Sequence, residues 1–239
     1  MESLKRYKTI VLCGGKGRRL GRLGETIPKA LVKLHDKSIL YHKLNQSINQ
    51  GFRDFIIATG YKGNMIIDAC NHMDLDFKID FSDSGEEAGM LRRIYNAKDL
   101  FEDRAIVTYG DTLTNMKMQD FVDFHYAKKG LATIVTAPIQ SPFGLVTSND
   151  NQQVQTLSEK PILYYYIGTF IVEKKAMELI PPDILDLPDG RGLIAFLDIL
   201  REHNRLYAYP HEGRDITFNT IEELGMAEEG FLKFYTHFQ

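Results

Sequence analysis

The sequence predicts an α/β fold with a largely parallel sheet and helices on both faces. Three observations lead there: strand-sized apolar runs alternate with helix-periodic stretches through the first half, the first apolar run stops at a glycine-rich loop, and the composition is that of an ordinary globular chain. The 239 residues are 44% hydrophobic and 26% charged, with a net charge of −3. That length suits one α/β domain with a substantial core, and the expectation is a single domain over residues 1–239. Its expected halves are 1–140 and 141–239.

The elements follow in order. Thr9 to Leu12 is a short apolar run ending at glycines, Ile39 to Gln50 has helical spacing up to Gly51, and Phe55 to Ala58 is a second apolar run. Asn64 to Met73 reads as a helix, Phe77 to Phe81 as a strand, Ala88 to Leu100 as a helix, and Ala105 to Tyr109 as a strand stopping at Gly110. Met118 to Lys129 is a helix ended by Gly130, a common terminator, and Leu131 to Ala137 is a β-branched strand. The second half is less regular. Phe143 to Val146 and Val154 to Leu157 flank the polar run Ser148–Asn151 and predict a hairpin. Tyr164 to Val172 is β-prone, Ala176 to Ile180 and Leu193 to His203 are helical, and Leu206 to Tyr209 is a short strand. Thr220 to Phe238 predicts a C-terminal helix weakened at Gly230.

Composition excludes several classes. A slightly acidic chain has no global field for nucleic acid or for an anionic membrane, so any phosphate must be held by a local basic site. No apolar stretch is long enough to span a bilayer, and the charged N-terminus lacks a signal-peptide core, so the expected location is cytoplasmic. Two cysteines, Cys13 and Cys70, make no disulfide framework and no zinc spacing. Homo-oligomerisation is left open.

The most informative segment is Leu12-Cys13-Gly14-Gly15-Lys16-Gly17-Arg18-Arg19-Leu20, directly after the first strand. Glycines let the backbone turn and approach a ligand closely, and successive N–H groups make an anion-binding concavity. Arg18 and Arg19 add guanidinium groups suited to phosphate. Gly15-x-Gly17-x-x-Leu20 lacks the third glycine of a dinucleotide fingerprint, and no Gly-Lys-Ser/Thr completes a P-loop.

Gly14-Gly15-x-Gly17-x-Arg19-Leu20 followed by Ile27-Pro28-Lys29-Ala30-Leu31-Val32 resembles the paired signature of the sugar-phosphate nucleotidyltransferase superfamily, GGxGTRL then PKxLxxL. Arg18 departs from it, standing where the family has Ser or Thr. The resemblance continues through Tyr109-Gly110-Asp111, Ser158-Glu159-Lys160-Pro161 and Thr220-x-Glu222-Glu223. It implies a Rossmann-like, mixed but mostly parallel sheet of nucleotidyltransferase type. It also implies that the loop from Leu12 and Cys13 through Gly14, Gly15 and Gly17, with Arg19, holds the triphosphate. Lys29 then reaches the α-phosphate, Gly110-Asp111 presents a Mg²⁺ ligand, and Lys160 contacts the acceptor phosphate. The second metal carboxylate has two registers: one aligns Asp215-Ile216 with the family's aspartate, the other puts Thr217 there. Asp215 is the expected ligand.

The segment Asp83-Ser84-Gly85-Glu86-Glu87-Ala88-Gly89 stands where the family reads the base. Its opening is similar to glucose-1-phosphate cytidylyltransferases, with Ser84, Gly85 and Gly89 in contact with a pyrimidine. CTP is therefore the expected donor, with UTP second. The run Tyr164–Thr169 lacks the family's Asn-x-Gly, so the acceptor is either a sugar 1-phosphate or a phosphorylated amino acid or amine. The expected reaction is in-line attack of an acceptor phosphate on the α-phosphorus with release of pyrophosphate, in precursor synthesis for cell-surface polysaccharide or capsule. Two rivals remain: a catalytically silent nucleotide-binding module and, more distantly, a dehydrogenase. His35, His125, His203 and His211 read as structural or exposed.

Overall fold

The computed structural model describes residues 4–235. In chain order its elements are β1 (Lys8–Leu12), α1 (Arg22–Thr26), β2 (Lys33–Leu34), β3 (Lys37–Ser38), α2 (Ile39–Asn49), β4 (Asp54–Thr59), α3 (Gly63–Asn71), β5 (Lys78–Asp83), α4 (Met90–Asn96), β6 (Arg104–Tyr109) and β7 (Thr112–Thr114). There follow α5 (Met118–Lys128), β8 (Ala132–Gln140), β9 (Leu145–Ser148), β10 (Val154–Ser158), β11 (Ile162–Glu173), α6 (Pro182–Leu185), α7 (Arg191–Glu202), β12 (Leu206–Pro210), β13 (Asp215–Thr217) and α8 (Ile221–Tyr235).

Seven strands form the main sheet in the order β12-β8-β11-β6-β1-β4-β5. β1 runs parallel to β4 and β6, β4 to β5, and β12 to β8, whereas β11 is antiparallel to both of its neighbours. The sheet is thus mixed and mostly parallel, and it draws strands from both halves of the chain.

Period-two alternation assigns the strand side chains to two cores. Val11, Phe55, Ile57 and Ile106 face one side, against Leu40 and Leu44 of α2, Ile66 of α3 and Phe121 of α5. Ile10, Ile56, Ala58 and Val107 face the other, against Leu91 and Ile94 of α4 and the α7 stripe. That stripe, Leu193, Phe196, Leu197 and Leu200, has the i, i+3, i+4, i+7 spacing of an amphipathic helix, and all four side chains are buried. A smaller third cluster packs Leu20, Val32, Leu34 and Leu113 under Phe218 and α8.

Several elements differ from the sequence reading. The stretch from Ala88 splits into α4 and a 3₁₀ turn at Lys98–Leu100, and in place of the helix expected at Ala176–Ile180 there is a 3₁₀ helix, Lys174–Leu179, with Ile180 extended at its end. The left-handed residue ending α5 is Lys129, at φ 54°, not Gly130. Gly130 answers a different need: a Cβ there would meet the Tyr207 ring at 2.6 Å. α8 runs through Gly230 without a break, and the expected helical residues 236–238 lie outside the described ones. β11 shifts register between Tyr166 and Phe170, where Gly168 adopts φ 79° and a Cβ would meet the Tyr109 ring at 2.4 Å.

Candidate active site

In parallel sheets ligands bind beyond the carboxyl ends of the strands. Here β1 and β6 are neighbours in register, Leu12 opposite Tyr109. The glycine loop leaving β1 and the Gly110-Asp111 turn leaving β6 therefore emerge side by side. The Gly110 N–H donates to Leu12 O at 3.0 Å, and a Cβ on Gly110 would meet Cys13 Sγ at 2.7 Å, so only glycine lets the two loops approach this closely. Together they line a cleft of about 620 Å³, within the range of small-molecule sites.

The structure brings Leu12, Cys13, Gly14, Gly15, Gly17, Arg19, Lys29, Gly110 and Asp111 to that one cleft. Gly17 sits in the left-handed region at φ 58° and starts the 3₁₀ turn that carries Arg18 and Arg19. Both arginines are exposed, and Arg19 has no ion-pair partner among the described residues. Lys29 lies at the start of a 3₁₀ turn behind Pro28. Its ammonium is 2.5 Å from Asp111 Oδ2, donates to Asn219 Oδ1 at 3.1 Å and lies over the Phe218 ring.

Asn219 is delivered by a local device at the start of α8. The Glu223 N–H donates to Thr220 Oγ1 at 3.1 Å, and the Glu223 carboxylate accepts from the Asn219 N–H at 2.5 Å. This is close to a capping box, which satisfies otherwise orphaned donors at a helix start. The Thr220-x-Glu222-Glu223 resemblance is thus a helix start that fixes the residue facing Lys29.

Two functional neighbours were missed in the sequence because they carry no motif. Arg93 of α4 is buried, lines the cleft, and donates to three carbonyls: Thr59 O, Gly14 O at 3.2 Å and Glu86 O at 3.4 Å. Burial pushes its pKa down, partly offset by Asp83. It ties the glycine loop, the end of β4 and the 83–89 segment together, which the planar guanidinium fork allows and a lysine would not. Lys43 of α2 is buried beneath the Asp111 turn and donates to Thr112 O at 2.7 Å. Burial pushes its pKa down to about 8, against the pull of Asp111 and Cys13.

Other expected residues are placed elsewhere. Ser84, Gly85 and Gly89 do not line the cleft, although Glu86, Glu87, Ala88 and Met90 do. Ser84 Oγ accepts from Asn96, and the Gly85 N–H closes a turn onto Asp83 at φ 80°. Gly89 packs on the 187–189 loop, where a Cβ would meet Leu187 O at 2.3 Å. Glu87 reaches back to ion-pair with Lys16.

Asp215 lies on β13, paired with Thr114 of β7, while Thr217 is opposite Thr112 beside Asp111. Three residues of strand put Asp215 about 10 Å along the ladder from Asp111. Its carboxylate instead accepts from the Tyr165 hydroxyl at 2.8 Å, and the structure does not bring it into the cleft. Lys160 is exposed at φ 43° in the loop between β10 and β11, its carbonyl accepting from Gln140, and it too lies outside the cleft lining. Of the histidines, His125 and His211 are buried on Glu173 and Thr114 respectively, and His35 and His203 are exposed.

Among the described residues no group of three or more His, Cys, Asp or Glu side chains could by itself hold a metal, and no helix is long and apolar enough to cross a membrane. A Mg²⁺ ion needs less from the protein, since it takes one or two carboxylates and completes its shell with phosphate oxygens and water. Asp111, aimed into the cleft beside the glycine loop, meets that requirement.

The nucleotidyl transferase family matches residues 8–214. A probable glucose-1-phosphate cytidylyltransferase of Bacillus subtilis (strain 168) is 31% identical, the alignment covering 91% of this chain and 93% of that protein. The glucose-1-phosphate cytidylyltransferase of Salmonella typhimurium is 28% identical over 86% of this chain and 88% of its own. Among solved structures, HddC from Yersinia pseudotuberculosis, also determined in complex with GMP-PN, is similar at a TM-score of 0.73 and 25% identity, covering 94% of this chain and 99% of its own. This chain therefore belongs to the nucleotidyl transferase family and is an enzyme of the sugar-phosphate nucleotidyltransferase type.

Proposed function

We propose that the protein is a CTP-dependent cytidylyltransferase acting on a sugar 1-phosphate, and that its CDP-linked product feeds cell-surface polysaccharide or capsule precursor synthesis in the cytoplasm. The observation that carries the reading is the gathering of the glycine loop, Lys29 and Asp111 in one cleft, in a chain 31% identical to a probable glucose-1-phosphate cytidylyltransferase. The acceptor is a sugar 1-phosphate rather than a phosphorylated amine because the cytidylyltransferase relatives carry glucose 1-phosphate in their names. On this reading the chain is a single domain whose two halves share the cleft, a reading supported by Pro188, Asp189 and Asn219 of the second half lining it beside the glycine loop.

An acceptor phosphate oxygen attacks the α-phosphorus of CTP, a new oxygen–phosphorus bond forms, the α–β bridge breaks, and pyrophosphate leaves. The nucleophile is already ionised at neutral pH, so catalysis rests on positioning and on neutralising charge. The glycine loop and Arg19 hold the β- and γ-phosphates that become pyrophosphate, and Lys29 swings from Asp111 to the α-phosphoryl group. Mg²⁺, when bound at Asp111, supplies charge neutralisation at the phosphates. Asp111 is its one protein carboxylate in this reading, since Asp215 is engaged by Tyr165 outside the cleft.

The test is pyrophosphate release with each of CTP, UTP, GTP and dTTP against a panel of hexose and heptose 1-phosphates, phosphocholine and a phosphorylated amino acid. CTP with a sugar 1-phosphate is the expected pair. Preference for GTP, the guanine donor suggested by the GMP-PN complex of the Yersinia protein, would overturn the base assignment, and turnover only with a phosphorylated amine would overturn the acceptor assignment.

A further inference from the structure

Lys43 is the only lysine among the described residues that is buried, at 5% exposure. It does not line the cleft, and its ammonium makes no ion pair among the described residues. A buried charge without a counter-charge is costly, and exchanging buried charged groups for apolar ones of similar volume is often neutral or stabilising. Its helix neighbours Leu40 and Leu44 are core residues, so an apolar side chain of similar length would suit the fold as well. The charge answers some other need.

What the ammonium holds is the turn that carries Asp111. The Gly110 N–H donates to Leu12 O at 3.0 Å, which fixes the chain one residue before Asp111. Lys43 donates to Thr112 O at 2.7 Å, which fixes it one residue after. The first bond ties the turn to β1 and the second ties it to α2. Little else holds the far side, because β7 is three residues long and pairs only with the three residues of β13.

The remaining ammonium protons have a place to go. A volume of about 20 Å³ beside Lys43 has room for one water molecule. Thr9 of β1, Gln46 and Ser47 of α2, Thr108 of β6 and Thr169 of β11 line it, and Thr9 Oγ1 is buried with no partner among the described residues. A water seated there meets the polar groups of α2 on one side and those of β1 and β6, the strands whose loops make the cleft, on the other. A buried polar network that is fully satisfied rigidifies its surroundings.

We propose that Lys43 is a positioning residue for the reaction: by gripping the Thr112 carbonyl from beneath, it anchors the Asp111 turn so that the carboxylate keeps its place when Lys29 leaves it for the nucleotide. The inference rests on the role given to Asp111 above.

The experiment compares the full chain with Lys43→Met, Lys43→Gln and Asp111→Asn by steady-state kinetics, calorimetric titration of CTP without Mg²⁺, thermal melting, and amide exchange read by mass spectrometry. For Lys43→Met the expected melting temperature is at or above that of wild type. Its CTP affinity should stay within about threefold while kcat falls at least about tenfold, since small misplacements of reacting groups carry penalties of that order. Amide exchange should be at least about tenfold faster across residues 110–116 and unchanged in α2, the mark of a local loss of anchorage. Lys43→Gln keeps an N–H donor and should recover part of the loss in kcat. Wild-type turnover by Lys43→Met beside an inactive Asp111→Asn would overturn the proposal and leave the reading of Asp111 standing. Wild-type turnover by Asp111→Asn would remove that reading, and the proposal with it. A Lys43→Met chain that fails to fold, or one that loses CTP affinity as steeply as kcat, would show that the lysine serves the fold at large and would overturn the proposal too.

Discussion

Lys29 Nζ lies 2.5 Å from Asp111 Oδ2, with Asn219 on its other side. The pair holds one positive and one negative group in a half-buried cleft, each neutralising the other until ligand arrives. Both charges are needed there: a partly buried charge left alone is costly, yet a triphosphate needs the cation and a Mg²⁺ needs the anion.

Asp111→Asn is expected to lower kcat by at least about a hundredfold, ~2.7 kcal/mol of transition-state stabilisation. The volume hardly changes and Asn can still accept from Lys29, so the melting temperature should stay within a few degrees. Calorimetric titration of CTP without Mg²⁺ should show binding retained, since Lys29 is then free of its counter-charge. Activity within tenfold of wild type would remove Asp111 from the chemistry.

Arg93→Lys is expected to raise the KM for nucleotide severalfold and to destabilise the fold by about 1.5–3 kcal/mol. It replaces a buried fork on three carbonyls with a single point donor. Urea denaturation with and without CTP separates the two effects. An unchanged midpoint together with an unchanged KM would mean the three-carbonyl clamp carries no energy.

Much of the frame was legible from residues because it rests on short-range physics. The β1 run and the loop after it are contiguous, the Pro28-Lys29 turn lies close behind them in sequence, and the continuous apolar runs of β4 and β6 mark strands buried on both faces. Arg93 and Lys43 were not legible. One is the second of two adjacent arginines on α4, past the segment read as a motif, and the other is a lysine among helical polar residues; only packing shows that both are buried with their charged ends on backbone carbonyls. The choice between the Asp215 and Thr217 registers could not be made from local pattern for a related reason. The β13–β7 ladder is a long-range pairing of three residues, and its register, which puts Thr217 rather than Asp215 beside the Asp111 turn, leaves no trace in local pattern. The reversed direction of β11 is hidden likewise, since strand propensity has no sense of direction.

Asp215→Asn and Lys160→Ala probe the two expected site residues found outside the cleft. Each should leave CTP affinity within about threefold of wild type, and Asp215→Asn should keep kcat within tenfold, because its carboxylate holds the Tyr165 hydroxyl rather than lining the cleft. If Asp215→Asn instead matched Asp111→Asn in its loss and in its Mg²⁺ dependence, the ligand set would have to include both carboxylates.

A pH dependence is expected far from the cleft, at Glu173. Burial pushes this carboxyl up, but the His125 hydrogen bond and the Arg104 and His125 charges outweigh it and hold it below the ordinary carboxylate value. A carboxyl depressed in the folded chain binds fewer protons there than in the unfolded one. It therefore contributes stability above the unfolded pKa and loses it as pH falls through the folded value. Glu173→Gln should cost about 1.5–3 kcal/mol at pH 7. The gap to wild type should narrow below about pH 4, the ordinary carboxylate range. Denaturation midpoints across pH 3–7 check the sign, and a gap that widens with acid would refute it.

The most direct measurement is phosphorus NMR of CTP and glucose 1-phosphate incubated with Mg²⁺ and the enzyme. The expected spectrum shows two coupled diphosphate resonances of a CDP-sugar growing in step with pyrophosphate, at a rate that Asp111→Asn suppresses by at least about a hundredfold. Appearance of CDP and inorganic phosphate, or of CMP without a sugar diphosphate, would mean that the cleft hydrolyses or merely binds nucleotide and does not join it to the acceptor.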